Sequence, residues 1–302
     1  MGFRIIELKL PTGFEEELLH RHIAHVLQIR HFSYQIVSQS LDARNKRNIH
    51  WLMQVGVSSE ELSGGKSPSP EKIEIPYKKR HKRVLVVGSG PAGFFAAFVL
   101  QKAGFETLIL ERGAEVEKRS LLLKQFEKTG VFSPIANYSF GEGGAGTFSD
   151  GKLTSRSKHI SKEKAFFLKT YIEAGAPQEI AWLAHPHVGS DILRKVVVNL
   201  RRLYLESGGE LLFEALLTDL VPKNGRILEA VSTAGSFEYD YFIVAPGHSA
   251  YETYRMLINR GVIFRLKNFA LGCRAEHPQE FINLSQWGSV SLKGVKAAEY
   301  RL

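Results

Sequence analysis

Residues 84–113 read VLVVGSGPAGFFAAFVLQKAGFETLILERG. Four apolar residues lead into Gly88, Gly90 and Gly93, spaced as G-x-G-x-x-G. FFAAFVLQKAG then reads as an apolar helix, and TLILE as a second buried strand ending in Glu111. Strand, glycine turn, helix and strand in this order predict a βαβ unit that binds a dinucleotide. Each glycine has its own task. The first makes the tight turn, the second lets the backbone approach a pyrophosphate, and the third lets helix and strand pack closely. The helix N-terminus offers free N–H groups and a positive dipole end to the phosphates. Pro91 suits the first helical position, where its missing N–H would have no partner anyway. Glu111 is placed to accept hydrogen bonds from ribose hydroxyls and to repel a 2′-phosphate, which disfavours NADP. The spacing alone does not separate FAD from NAD.

Around this unit the chain has 302 residues, enough for two or three domains. Its 44% hydrophobic and 24% charged content is that of an ordinary globular protein. No apolar run is long enough for a membrane-spanning helix. The N-terminal MGFRIIELKLPTG does not read as a secretory signal. The one cysteine, Cys273, excludes an internal disulfide and any CxxC redox pair, and it fits a reducing cytoplasm. It lies in the apolar run ALGC and is expected in the core. The net charge of +9 has a local source in YKKRHKR at 77–83. That run reads as a solvated linker rather than a nucleic-acid contact. His20, His22 and His25 share one helix, and His185 and His187 flank a proline. None has partners at metal-ligand spacing, so no metal is expected.

Periodicity divides the chain. In residues 1–57, FRIIELKL alternates as a strand, and FEEELLHRHIAHVLQI places Leu19, Ile23, Val26 and Leu27 on one helical face. YQIVSQSL and IHWLMQVGV follow as strands, with DARNKRN turning between them. This is a small N-terminal domain of mixed α and β elements. The stretch 58–80 begins with SSEELSGGKSPSPEK and reads as a linker. Residues 81–262 form the dinucleotide-binding domain, with a helical insertion at about 114–185. Polar helices are expected at 115–128 and 161–174. The segment 187–222 reads as a long helix and then a strand, and RILEAVST and SFEYDYFIVAPG as two more strands. Residues 263–302 begin a further, substrate-facing domain. The fold class is α/β, a Rossmann-like domain with a parallel sheet.

A second glycine cluster, FGEGGAGTFSDGK, lies at 140–152. Gly141, Gly143 and Gly146 also satisfy the literal G-x-G-x-x-G spacing. SPIANYSF before it is no buried strand, and TFSDGKLTSRSK after it has no helical period. Gly143, Gly144, Ala145, Gly146 and Thr147 therefore read as a loop whose backbone closely approaches a flat or anionic ligand.

These pieces together resemble the FAD-binding flavoproteins of the glutathione-reductase type. Ala97 and Gly104 stand where that family carries a small residue and a glycine. GELLFEALLTDLVP resembles the strand that meets the adenine, with Leu217 at the backbone-contact position. YFIVAPGHSA resembles the strand-turn motif near the cofactor, with Pro246 in place of the usual threonine. SLDARNKRNIHW, FGEGGAGTFSDGKL, HSA and AEHPQEFIN resemble segments of a group of uncharacterised FAD-dependent dehydrogenases. That group closes with a C-terminal Gly/Asp-bearing segment. This chain ends in VKAAEYRL and reads as a C-terminally truncated member.

The resemblance implies FAD as cofactor. The contacts it implies are Gly88, Ser89, Gly90, Pro91, Ala92, Gly93, Glu111 and Arg112 in the βαβ unit. Gly143, Gly144, Ala145, Gly146 and Thr147 follow in the second cluster, then Leu217, Ala245, Pro246 and Gly247. It also implies a cytoplasmic oxidoreductase that passes a hydride or electrons between a small-molecule substrate and an electron donor or acceptor such as NAD(P)H. No catalytic acid or base is assigned. Lys152 and His248 abut the glycine segments, and Ser249 reads as a helix N-cap. Two other readings stay open: an NAD-binding dehydrogenase without flavin, and a non-enzymatic, truncated or regulatory FAD-binding module.

Overall fold

A computed structural model describes residues 1–67, 72–149, 151–153, 155, 157–269, 271–273 and 275–299. Residues 68–71 of the expected linker and the last three residues of the chain lie outside the described residues. The chain forms two compact units. One comprises Met1–Glu71, Ala181–Pro186 and Asn268–Leu302, the other Lys72–Ile180 and His187–Lys267.

The first unit opens with strand β1 (Gly2–Pro11), helix α1 (Glu16–Leu27), β2 (Ser33–Asp42) and β3 (His50–Ser59). They make an antiparallel sheet in the order β1-β3-β2. Leu8, Leu10, Met53, Val55 and Val57 form its apolar face, and Leu19 and Ile23 of α1 cover it. Val26 departs from expectation, being exposed at the edge of the stripe. The segment after β3 does not run free as a linker would. Leu62 joins the core, and Phe3 donates its N–H to the Gly64 carbonyl at 3.0 Å.

The second unit begins with β4 (Arg83–Val87), α2 (Pro91–Lys102), β5 (Glu106–Leu110) and α3 (Val116–Thr129). It continues with α4 (Ser161–Glu173), α5 (Ser190–Glu206) and β6 (Glu210–Leu212). Strands β7 (Leu217–Lys223), β8 (Arg226–Ser232), β9 (Gly235–Glu238) and β10 (Tyr241–Val244) precede α6 (Tyr251–Asn259). A parallel sheet runs β10-β4-β5-β6, and β7-β8-β9 make a separate antiparallel sheet. The expected single strand at 236–247 is in fact two, in different sheets. The chain turns at Tyr239–Asp240, where the Asp240 carboxylate accepts the Arg83 N–H at 2.8 Å.

Both faces of the parallel sheet are covered, so its strands are apolar throughout. Val84, Val86 and Ile109 pack into a core with α2, α4 and α5. Leu85, Val87, Leu108 and Leu110 pack on the other side against Leu217, Leu220 and Ala230. Strand order reverses at β4, since β5 lies on one side and the last strand, β10, on the other. In open α/β sheets a ligand crevice lies at the carboxyl ends of the strands flanking such a point.

Helix α7 (Gln279–Trp287) belongs to the first unit. No regular element lies among the described residues from Val262 to His277. Cys273, expected in the core, is exposed, because residues 271–273 belong to no sheet or helix.

Tyr204 of α5 clamps the sheet edge. It is fully buried, and its hydroxyl lies 2.7 Å from Thr107 Oγ1 and 3.0 Å from the Thr107 carbonyl. Burial pushes its pKa up to about 12. Tyr204→Phe removes both contacts while Thr107 Oγ1 keeps its bond to Gln101 Oε1 at 2.8 Å, so it is expected to lower stability by about 1 kcal/mol in urea denaturation.

Candidate functional site

A cleft of about 620 Å³ opens at the carboxyl ends of β4, β5 and β10. The first glycine turn forms its floor. Gly88 has φ +100°, and a Cβ there would lie 2.3 Å from the Ala245 carbonyl oxygen. A Cβ on Gly93 would come within 1.9 Å of the Gly88 carbonyl oxygen, so helix and strand meet there with no room for a side chain. Gly90 differs. It is the N-cap of α2, Pro91 is the first helical residue, and a Cβ on Gly90 would meet only Gly144 Cα at 3.8 Å. The helix N-terminus thus opens on the cleft with nothing bulky before it.

The second cluster comes to the same place. Gly144–Gly146 form a single 3-10 turn, with neither a strand before it nor a long helix after it. A Cβ on Gly144 would lie 3.1 Å from Gly90 Cα, so the two glycine segments touch backbone to backbone.

Of the residues expected to meet a cofactor, Gly88, Gly90, Pro91, Ala92, Glu111 and Arg112 line the cleft. So do Gly144, Ala145, Gly146, Leu217, Ala245, Pro246 and Gly247. Ser89, Gly93, Gly143 and Thr147 do not, because they are spent on internal packing. Thr147 is fully buried and donates its hydroxyl to the Glu142 carbonyl at 2.8 Å. A Cβ on Gly143 would sit 2.2 Å from Thr147 Oγ1.

Glu111 has a task the sequence does not announce. It is buried, and Oε2 accepts the Ser89 N–H and the Ser89 hydroxyl, both at 2.8 Å. Oε1 accepts the Gly113 N–H at 2.9 Å and the Gly141 N–H at 3.0 Å. A carboxylate has about four acceptor positions, and here protein donors take all of them. A ribose hydroxyl could bond Glu111 only by sharing or displacing one. Arg112 beside it pairs with Glu252 at 3.1 Å and lies over the Phe140 ring.

Behind the turns lies a buried layer of charge that sequence reading missed. Arg119 of α3 is fully buried, and all of its hydrogen bonds go to backbone carbonyls. Nε donates to Asn137 at 2.9 Å, Nη1 to Glu142 and Gly144 at 2.9 Å, and Nη2 to Tyr138 at 3.1 Å. Burial lowers its pKa to about 10, which leaves it charged at neutral pH. Nothing distinguished this arginine in a polar helix. Glu142 carried one signal, an acid inside a run of glycines. Its Oε2 accepts the Val116 N–H at the start of α3 at 2.7 Å. Its Oε1 lies 3.3 Å from Arg201 Nε but out of line for a hydrogen bond. Burial raises its pKa to about 7; Glu117 and Glu115 add to the rise, and the Val116 N–H and Arg201 oppose it.

His248 and Ser249 pair with each other, Ser249 Oγ lying 3.2 Å from His248 Nδ1. Ala250, not Ser249, occupies the N-cap of α6, so the expected cap does not form. Both residues line the cleft. Lys152 lines a different pocket and is held by a backbone bridge to His187. No cluster of metal ligands occurs among the described residues. No helix among them is long and apolar enough to cross a membrane.

Comparison with known proteins bears on the occupant. Residues 81–126 match the FAD binding domain family, and residues 3–58 match a domain of unknown function, DUF8436. The first match covers the glycine turn, Glu111 and Arg119, and it supports FAD as the cofactor. An uncharacterized protein of Clostridium beijerinckii is 35% identical over 318 residues. That alignment takes in 100% of this chain and 59% of the relative, so the chain spans under two thirds of the relative's length. Among solved structures, Thermovibrio ammonificans THI4 is 16% identical with a TM-score of 0.38, over 60% of this chain and 64% of its own. Glycine oxidase from Bacillus cereus is 13% identical with a TM-score of 0.32, over 59% of this chain and 58% of its own. Likeness of that order bears on neither substrate nor activity.

Glu142 makes stability pH-dependent. Its pKa is about 7 when folded, against 4.5 ordinarily, so the folded state holds the proton more tightly. The stability it contributes is complete below pH 4.5 and lost as pH rises through about 7. Glu142→Gln keeps the shape and cannot ionise. Between pH 5 and pH 8, urea denaturation should show the variant gaining on the parent protein by about 2 kcal/mol.

Proposed function

We propose that the chain is the FAD-binding part of an oxidoreductase of the glutathione-reductase-type flavoproteins. The observation that carries this reading is the meeting of the two glycine segments at the N-terminus of α2. Gly90 and Gly144 face each other there without side chains, and both line the cleft. A pyrophosphate needs such a surface, with backbone close, N–H groups presented and a positive dipole end. Residues 81–262 would constitute the FAD-binding domain. The Gly88–Gly93 turn and the Gly144–Gly146 turn would hold the pyrophosphate. Leu217 and Ala215, on the antiparallel-sheet side of the cleft, would take the adenine. The buried Glu111 carboxylate gives no welcome to a 2′-phosphate, which supports FAD over NADP.

Bound flavin would supply hydride or electron transfer between a small-molecule substrate and a second redox partner, NAD(P)H among the candidates. The protein residues supply binding and orientation. His248, exposed beside the cleft and hydrogen-bonded to Ser249, is the one imidazole lining it. A reducing cytoplasm suits a flavoprotein with an exposed thiol at Cys273.

The deciding measurement is visible absorbance of the purified chain before and after incubation with FAD. A bound-flavin spectrum that bleaches on adding NADH or NADPH supports the reading. A folded sample that takes up no FAD overturns it. Gly90→Val tests the geometry. Its side chain meets little protein, so the unfolding midpoint should hold within about 0.5 kcal/mol. It projects toward the space assigned to the pyrophosphate, so FAD affinity should fall at least about tenfold.

A further inference from the structure

A second cavity of about 390 Å³ lies on the other side of the Gly144–Gly146 turn. It meets the dinucleotide cleft at Pro91 and Gly146, which line both. Its walls are apolar: Leu153, Phe167, Leu168, Leu193 and Val197, on or beside α4 and α5. Tyr171 adds a ring stacked on Phe167 at 4.5 Å. The volume is that of a small-ligand pocket, and a largely apolar wall with a few polar groups is what such a ligand needs.

Buried Thr147 and Tyr171 also line the cavity, and its charged groups lie at the exposed rim. Lys152 and Lys164 are exposed there, with Ser149 and Ser155 beside them. Glu163 is the one acid among the described residues that line the cavity. Among those residues, Lys152 and Lys164 stand against that acid. A basic mouth over an apolar interior selects a ligand that is apolar at one end and anionic at the other. The dinucleotide does not need this pocket for its pyrophosphate, which the cleft accommodates at Gly90 and Gly144.

We propose that this cavity is the substrate pocket and that it takes an organic acid, with its apolar body among Phe167, Leu193 and Val197 and its carboxylate at Lys164. The proposal rests on the flavoprotein reading above and names the substrate class for it.

The test is calorimetric titration of the full chain with phenylacetate and with its neutral counterpart 2-phenylethanol, each with and without saturating FAD. FAD uptake is measured separately by absorbance. Phenylacetate should bind about fivefold tighter than 2-phenylethanol, and its binding should persist with FAD present. Lys164→Gln should weaken phenylacetate about threefold, the worth of one solvent-exposed ion pair, and leave 2-phenylethanol unchanged. Ile160→Trp, at the mouth of the pocket, should exclude both probes while FAD uptake is retained. Equal affinity for the two probes overturns the proposal, as does a Lys164→Gln variant with unaltered preference. Loss of phenylacetate binding when FAD is added overturns it too, and gives the cavity to the dinucleotide itself. No binding of either probe by a chain that takes up FAD overturns the pocket assignment alone. Failure of FAD uptake by the folded chain overturns the flavoprotein reading on which it rests.

Discussion

The Glu111 carboxylate holds the nucleotide-facing end of the sheet together. It ends β5 in a buried position and accepts from Ser89 in the first glycine turn, from Gly113 next to it, and from Gly141 in the second glycine segment. A buried anion is tolerable only when its acceptor positions are filled, and these are. Two loops about 50 residues apart in sequence are thereby referenced to one strand end. If either loop moved, an acceptor would be left dry. The contact between Gly90 and Gly144 is consistent with that anchoring, which needs protein groups alone. A site ordered in advance keeps more of its contact energy as affinity.

Arg119 completes the arrangement from the other side. Its guanidinium gathers carbonyls of Asn137, Tyr138, Glu142 and Gly144, which would otherwise need water in a place where there is little. Glu142 then caps the first turn of α3, the helix that carries Arg119. Loop and helix hold each other: the helix supplies donors to the loop, and the loop supplies an acceptor to the helix start. Every nitrogen of the arginine side chain donates, while Glu142 Oε1 has no hydrogen bond. Burial nonetheless moves both by a similar amount, Glu142 up to about 7 and Arg119 down to about 10, and the arginine stays charged at neutral pH because its ordinary value starts far higher.

Much of this was legible in the sequence where the cause is local. VLVV and TLIL are apolar throughout because both sheet faces are covered, and the glycine spacing follows from one turn of backbone. What failed depends on distant partners. The break at Tyr239–Asp240 is made by Arg83, 157 residues away, and no property of SFEYDYFIVAPG announces it. Cys273 looks like a core residue by its neighbours, but no element is there to bury it. Val26 obeys the helical period but is exposed, while Leu27 and Ile29 next to it reach the core. Arg119 gave no sign for the same reason, and Glu142 only that of an acid among glycines. A buried charge is recognisable only by its partners, and theirs are loop carbonyls and a helix N-terminus.

The second glycine cluster also explains more than its spacing. Gly144 lacks a side chain because Gly90 is too close, and Gly143 because Thr147 and Val197 are. Packing makes no such demand at Gly146, where a Cβ would have nothing within 4 Å. Two cavities share that residue. A turn this thin separates them by little more than one thickness of backbone, and a larger residue at Gly146 would project into that shared space. The absence of a side chain there is better explained by what the cavities admit than by what the protein packs. With both cavities occupied as proposed above, the cluster would be a thin partition, tied at Gly144 by Arg119 and bare at Gly146 where the two spaces meet.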